Sequence, residues 1–189
     1  MTITINNQGT PWWNSGVLEP AKHQRLIENR FSVGRRAGLS PPNHKYMWEP
    51  LSERVTDLER GWCKKVITGE HTGLGFRYSG PLKQVNVRMH ELTGGFLRNF
   101  VDATIMQSED IVGLAMTGGS VQATVLFIPD LGLLGSKLTE VPRRALVGVL
   151  TERARNGKHT SVYAPHGLKK QFGDIGEDLE GLLAHIEVK

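Results

Sequence analysis

The chain has 189 residues, with 23 Lys and Arg against 19 Asp and Glu, a formal net charge of +4 and a pI near 9.3. A single cysteine excludes an internal disulfide and a multi-thiolate zinc site. No stretch approaches the roughly 18 apolar residues of a membrane span, so we expect a cytoplasmic protein without a membrane partner.

The N-terminal residues predict an arm ahead of a single α/β domain. Residues 1–30 are polar and contain helix-breaking Gly and Pro, and we expect the domain to span residues 31–189. Trp12 and Trp13 are candidate partner-binding residues, because Trp is the residue most enriched at binding hot spots. The alternative is that both side chains fold back onto their own domain.

The next segments predict a helix followed by two closely spaced strands. Apolar residues at spacings of three and four predict an amphipathic helix from Leu51 to Val66, with Ser52 as its N-cap. The run from Gly73 to Gly80 predicts a first strand. Apolar and polar side chains alternate from Gln84 to Met89, which indicates a second strand.

The remaining segments alternate between helices and strands. A helical face extends from Phe96 to Ile105, and a short helix is expected from Ile111 to Met116. The strand Thr124–Ile128 is apolar or β-branched throughout, so we expect it to be central. The later predictions are a helix at 142–155, a strand at 160–164, and helices at 168–172 and 177–186. This order predicts a three-layer αβα fold with a mainly parallel sheet.

Three segments in the second half of the chain carry a family resemblance. They are Leu126-Phe-Ile-Pro-Asp-Leu-Gly132, Leu150-Thr-Glu-Arg-Ala-Arg-Asn-Gly-Lys-His-Thr160 and Leu168-Lys-Lys-Gln-Phe-Gly-Asp-Ile-Gly-Glu177. In order and spacing they resemble the ATPase domain of bacterial helicase loaders and their transposition-helper relatives, the DnaC/IstB-type AAA+ proteins. The resemblance covers about residues 29–186 and implies a reduced AAA+ or P-loop NTPase-like core.

The phosphate-binding loop of such a core is missing from the sequence. A P-loop needs Gly-x-x-x-x-Gly-Lys-Ser/Thr, whose backbone N–H groups and lysine hold the phosphates. No segment of this chain matches. After Gly80 and Pro81 the chain passes directly into the next predicted strand, so we expect the loop and its helix to be deleted. Lys83 is the nearest cation, and we interpret it as a surface charge.

The resemblance assigns other ATPase positions to residues without the required groups. In the family, two acidic residues end the Walker-B strand. This chain has Pro129 and Asp130 at those positions, and a single Asp there is typical of a turn or an N-cap. The polar sensor falls on Pro165, and the arginine finger falls near Leu182. Because Mg²⁺, Lys and Arg supply almost all stabilisation of phosphoryl transfer, we predict a pseudo-ATPase with no catalytic residue, metal or cofactor.

The remaining candidates for chemistry and for binding are histidine, cysteine, aromatic and basic residues. The seven histidines have no metal-ligand spacing, and Cys63 inside a predicted helix is expected to be a buried, inert thiol. Phe96, Arg98 and Phe100 are candidates for stacking on single-stranded bases. The basic residues that are candidates for contact with DNA or an acidic partner are Arg98, Arg143, Arg144, Arg153, Arg155 and Lys158.

The leading hypothesis is a non-hydrolysing adaptor of a phage or mobile element. It would bind a replicative helicase or an active AAA+ paralogue, and possibly DNA, in replication or recombination. Two alternatives stay open: a divergent active ATPase that uses Lys83 and Asp130, and a nonspecific DNA-binding protein. The sequence predicts no oligomeric state.

Overall fold

A computed structural model describes residues 20–70, 75–134 and 138–189. No helix within these ranges is both long and apolar enough to cross a membrane. The helices are α1 (Pro20–Glu28), α2 (Arg30–Arg36), the 3-10 helix η1 (Pro41–Met47), α3 (Asp57–Thr68), α4 (Leu82–Arg98), α5 (Ser108–Met116), α6 (Leu131–Leu134), α7 (Glu140–Arg155), α8 (Lys169–Phe172) and α9 (Asp174–Gly181). The strands are β1 (Gly75–Ser79), β2 (Ala103–Ile105), β3 (Val125–Ile128), β4 (His159–Tyr163) and β5 (Leu183–Glu187).

The chain divides into two compact units, which we describe separately. Unit 1 comprises Met1–His71 and Arg88–Thr104, and unit 2 comprises Thr72–Val87 and Ile105–Lys189. Unit 1 is mostly helical, with α1, α2, η1, α3 and the larger part of α4. Unit 2 holds β1, β3, β4 and β5 together with the helices α5 to α9.

The five strands form one sheet in the order β2-β3-β4-β1-β5. The pairings of β3 with β4, β4 with β1 and β1 with β5 are parallel. Parallel neighbours need crossover connections, which the intervening helices supply. The predicted three-layer α/β fold with a parallel sheet is therefore confirmed.

The core of unit 2 forms around β3, whose four residues are all 0% exposed. This burial on both faces agrees with the prediction of an interior strand, although β4 and not β3 holds the middle position in the sheet. The buried apolar cluster on one side of the sheet includes Ile111, Leu126, Ile128, Leu146, Leu150, Val162, Leu168 and Phe172. Side chains from α5, α7 and α8 therefore cover one face of β3 and β4.

The predicted second strand is wrong, because Gln84 to Met89 lie inside helix α4. Alternation with a period of two over six residues competes here with a longer helical pattern. Val85, Met89, Leu92 and Phe96 are spaced by four, three and four residues, and each is at most 1% exposed. The helix after β1, which the sequence indicated to be deleted, is therefore present.

Two further boundaries also differ from the predictions. The helix predicted from Leu51 begins instead at Asp57, because Thr56 and Glu59 form a capping box at its start. The helix predicted for 177–186 ends at Gly181, and the chain continues as β5. Five residues of β5 pair with β1, from Gly75 with Leu183 to Ser79 with Glu187. Pairing along this strand edge outweighs the local helical pattern.

The predicted N-terminal arm is described only in its last third. Residues 20–28 form α1, where Leu26 and His23 are 8% and 2% exposed, so this part is an ordered helix and not an irregular arm. Trp12 and Trp13 lie outside the described residues. The predicted helix from Phe96 to Ile105 is also interrupted, since α4 ends at Arg98 and β2 follows.

Glu91 in α4 makes the stability of unit 1 dependent on pH. Burial raises the pKa of this carboxyl, although the hydroxyl of Ser52 donates a hydrogen bond to it at 3.1 Å. A carboxyl whose pKa is raised by folding stabilises the fold at low pH, and this contribution is lost as the pH rises through the folded pKa.

We therefore expect Glu91→Gln to gain stability relative to the native chain between about pH 4 and about pH 7. Urea unfolding at both pH values measures this difference. The exposed Glu53 provides a matched control, and Glu53→Gln should show no such gain. A constant difference between native and Glu91→Gln proteins at both pH values would contradict the assignment.

Candidate functional site at the carboxyl edge of the sheet

The strand order defines where a ligand would bind in unit 2. In open parallel sheets, ligands bind at the carboxyl ends of neighbouring strands whose connections leave in opposite directions. The chain leaves β1 toward the β2 side of the sheet, and it leaves β4 toward β5 on the other side. The switch point therefore lies between the carboxyl ends of β1 and β4.

Most of the residues at the predicted ATPase positions meet at this edge. Gly80 and Pro81 follow β1, Pro129 and Asp130 follow β3, and Pro165 comes two residues after β4. Leu182 does not join them, because it immediately precedes β5 and so lies at the amino edge of the parallel sheet. The structure thus separates the predicted arginine-finger position from the others.

The position of a phosphate loop is closed by backbone contacts. Only Gly80 and Pro81 separate β1 from α4. The hydroxyl of Tyr163 donates a hydrogen bond to the carbonyl oxygen of Gly80 at 3.1 Å. On the other side, Val188 N–H donates to Ser79 at 2.9 Å, and a Cβ atom at Gly80 would collide with the Val188 carbonyl. A two-residue turn of Gly80 and Pro81 is too short to form the loop of backbone N–H groups that surrounds a phosphate in a P-loop.

Asp130 stabilises a helix end. Its carboxylate accepts hydrogen bonds from the backbone N–H and the hydroxyl of Ser108, each at 2.8 Å. Ser108 is the first residue of α5, so the carboxylate satisfies an N–H group that has no partner within the helix. It also places negative charge at the positive end of the helix dipole. Asp130 lies in a turn, as one of the two interpretations had it, but its carboxylate caps α5 and not the segment that follows it.

We expect Asp130→Ala to lower the free energy of unfolding by about 1–2 kcal/mol, because α5 loses its charged cap. Asp130→Asn should lose less, since the amide oxygen can still accept from Ser108. Urea unfolding measures both losses. Asp178 is exposed on α9, and Asp178→Ala serves as the matched control with little expected change. An Asp130→Ala variant as stable as this control would refute the capping role.

The sequence did not indicate several residues that complete this edge. Arg77 Nη1 donates to the carbonyl of Ala164 at 3.0 Å, and Arg77 Nε lies 3.1 Å from a carboxylate oxygen of Glu180. Tyr163 reaches Gly80 across the β4–β1 pairing. These partners are about 80 to 100 residues apart in the chain, so only the register of the sheet brings them together.

Two of the candidate DNA-binding residues are buried, and the prediction for them is wrong. Arg98 and Arg153 are 0% and 2% exposed, and burial lowers the pKa of each guanidinium to about 10. Arg98 donates to the backbone carbonyl of Glu49. Phe96 is also buried, at 1% exposure, and packs edge-on against Trp62. None of these three side chains is available to DNA.

The other candidate basic residues have different surroundings. Arg143 is partly buried and donates to the carbonyl of Leu138 at 3.2 Å, and Lys158 donates to the carbonyl of Gln122 at 3.0 Å. Arg144 is exposed and pairs with Glu140 of the same helix at 2.6 Å. Arg155 is exposed at the end of α7, and Lys83 is exposed in the first turn of α4.

Within the described ranges, no group of three or more His, Cys, Asp or Glu could hold a metal ion. Cys63 is buried in α3 as predicted, and burial raises the pKa of its thiol, so the reactive thiolate is disfavoured. A small apolar cleft lies near the amino ends of β4 and β5, where Thr160 and Leu183 line it. It is therefore distinct from the carboxyl edge.

No protein-family model matches the chain, and a search of curated proteins finds no match.

Proposed function

We propose that the protein is a non-hydrolysing adaptor with a helicase-loader-like core, which binds a protein partner in cytoplasmic DNA replication or recombination. The observation that carries this proposal is the closed carboxyl edge of the sheet. The turn after β1 is held between Tyr163 and Val188, and the carboxylate after β3 caps a helix. We infer that this edge lacks the glycine-rich loop, the loop lysine and the pair of carboxylates with which an ATPase of this kind binds the phosphates and Mg²⁺ of ATP.

The strand order supports the loader-like part of the proposal. The parallel pairings and the sheet order β2-β3-β4-β1-β5 fit the reduced AAA+ or P-loop NTPase-like core that the resemblance implies. The resemblance would then place Gly80 at the phosphate-loop position and Asp130 at the Walker-B position. Both positions fall at the carboxyl edge, where the active relatives are expected to hold nucleotide. We propose that such a core, without nucleotide chemistry, acts by binding another protein.

The partner that we propose is a replicative helicase or an active AAA+ paralogue from the same host or element. Because we propose that this chain contributes no nucleotide site, the complex should form equally well in ATP, in ADP and in EDTA. The partner is tested in a state that does not itself depend on nucleotide. Analytical ultracentrifugation of the two purified proteins measures this. Asp178→Ala is the control for an Asp130→Ala variant, and both should bind as the native chain does.

Binding that requires ATP and disappears in Asp130→Ala alone would favour the alternative, a divergent ATPase that uses Lys83 and Asp130. Absence of any complex with either partner would contradict the adaptor proposal. Neither result depends on the folding of the variants, since their stability is measured separately by urea unfolding.

A further inference from the structure

The positive charge of unit 1 is concentrated in its first two helices. Residues 20–37 contain five Lys or Arg side chains and one Glu, whereas the remaining described residues of unit 1 carry seven basic and seven acidic side chains. The basic residues of α1 and α2 are Lys22, Arg25, Arg30, Arg35 and Arg36, and all but Arg30 are exposed. An excess of this kind is suited to an anionic polymer.

Phe100 combines exposure with an unfavourable backbone conformation. Within the described ranges it is the only non-glycine residue with positive φ, at 60°, and its side chain is 60% exposed. It occupies the left-handed position at the end of α4, where the Val101 N–H bonds back to the Phe96 carbonyl. Glycine is favoured at this position, so the backbone conformation itself does not call for a phenylalanine there. Backbone strain of this kind at an exposed aromatic residue points to a function.

The ring of Phe100 is held in a fixed orientation. It stacks on the ring of His23, with centroids 5.1 Å apart and planes at 22°. His23 is buried, and its Nε2 lies 3.0 Å from the carbonyl oxygen of Arg98. The buried histidine therefore supports one face of the Phe100 ring and holds its orientation.

Phe31 in α2 repeats this arrangement. It is 56% exposed, and its ring lies against that of His44 with centroids 5.6 Å apart. His44 is buried, and its Nε2 lies 3.1 Å from the carbonyl oxygen of Leu39. The guanidinium of Arg30 lies over the Phe31 ring, 4.6 Å from its centroid. Arg35 lies four residues after Phe31 and therefore on the same face of the helix. An exposed ring is thus placed beside cationic side chains.

We propose that unit 1 binds single-stranded nucleic acid through an aromatic–basic surface, which we define as Phe31, Phe100, Arg25, Arg35 and Arg36. Bases would stack on the two phenylalanine rings, and the arginines would contact phosphates. Thr104 Oγ1 lies 3.5 Å from the carbonyl of Arg36, which places the segment after Phe100 next to the end of α2. This inference concerns unit 1 and goes beyond the proposed adaptor function.

The composition of the surface favours nucleic acid over an acidic protein. A protein-docking face has a contiguous apolar centre, usually of several side chains. Among the described residues of α1 and α2, Phe31 is the only large apolar side chain that is prominently exposed. Separate aromatic rings among arginines instead match a stacking platform, because every base presents a π-face.

The decisive variant is Phe100→Gly, since it separates binding from folding. Glycine suits the left-handed conformation, and this gain offsets the lost contact with His23, so the melting temperature should stay within about 2 °C of that of the native chain. Affinity for a labelled oligothymidylate of about 20 nucleotides, measured by fluorescence anisotropy, should fall about tenfold. Phe31→Ala should weaken binding to a similar extent. Leu58→Ala is the matched control, because Leu58 is 58% exposed on α3 outside the surface and should not affect binding.

Further binding measurements distinguish single-stranded nucleic acid from duplex DNA and from an acidic polymer. The double variant Arg35→Ala/Arg36→Ala should reduce the slope of log affinity against log salt concentration by about 1, since fewer counterions are released. If oligouridylate bound as tightly as oligothymidylate, the stacking of bases on the phenylalanine rings would still be supported, and RNA would be a ligand as well as DNA. Binding of duplex DNA as tightly as single strands, native affinity in Phe100→Gly, or binding of only an acidic polyglutamate would each overturn the proposal.

Discussion

Replacing Arg153 by alanine is expected to lower the free energy of unfolding by about 3–5 kcal/mol. Arg153 Nη1 donates to the carbonyls of Val121 and Ala123, each at 2.9 Å. Nη2 donates to the carbonyl of His159 at 2.8 Å, and Nε donates to the hydroxyl of Thr160 at 3.0 Å. One side chain of α7 therefore joins the segment before β3 to the start of β4.

The loss in Arg153→Ala has a specific physical cause. The side chain is 2% exposed, so its loss would remove four hydrogen bonds inside the fold, three of them to backbone carbonyls, and a buried polar group that loses its partner costs about 1–3 kcal/mol. Burial lowers the pKa of Arg153 to about 10, so the guanidinium is still protonated at neutral pH and all its donors are present.

Arg155 provides the matched control for Arg153, since it lies two residues later in α7 and is exposed. Arg155→Ala should change stability by less than about 0.5 kcal/mol. Urea unfolding of the two variants measures both changes. Equal stability of Arg153→Ala and Arg155→Ala would show that the network around Arg153 does not stabilise the sheet.

A second large effect is expected from the ion pair between Glu59 and Arg88 in unit 1. Their side chains are 0% and 7% exposed, and Arg88 Nη1 lies 2.5 Å from Glu59 Oε2. Glu59 also accepts from the Thr56 N–H at 2.8 Å, as the acidic member of the capping box of α3. Arg88→Met would leave a buried carboxylate without its cation, and we expect a loss of about 3–5 kcal/mol.

The double variant Glu59→Gln/Arg88→Met tests whether the loss comes from the unpaired charge. Glutamine is neutral and keeps the capping-box bond to Thr56, so stability should return to within about 1–2 kcal/mol of the native chain. Lys65→Met, at an exposed position of α3, controls for the change of side chain. If the double variant were less stable than Arg88→Met alone, the cost would not arise from an unpaired charge.

Long helices and buried strands could be predicted where one pattern extends over the whole element. The apolar run in β3 and the helix Glu140–Arg155 were predicted to within two residues. The strand prediction within α4 fails because the six-residue alternation is only local. The helical spacing of Val85, Met89 and Leu92 extends over a longer segment and determines the structure. For β5 the local pattern favours a helix, and only pairing with β1 makes this segment a strand.

The candidate site was predictable in its positions and not in its contacts. Chain order alone placed Gly80, Asp130 and Pro165 at the ends of strands, and in a parallel sheet these ends share one edge. The contacts of Tyr163 and Ser108 depend on how distant strands pair, which no local pattern encodes. The burial of Arg98 and Arg153 was missed for a related reason. Basic residues are usually exposed, and their carbonyl partners come from other elements.

We propose that the carboxyl edge of the sheet does not bind nucleotide. A titration of the full chain with a fluorescent ATP analogue and Mg²⁺ tests this most directly, with an active loader ATPase as the positive control. We predict no saturable binding up to about millimolar nucleotide, and no difference between the native chain and Asp130→Ala. Saturable micromolar binding that is lost in Asp130→Ala, with Asp178→Ala unaffected, would show instead that this edge is a nucleotide site.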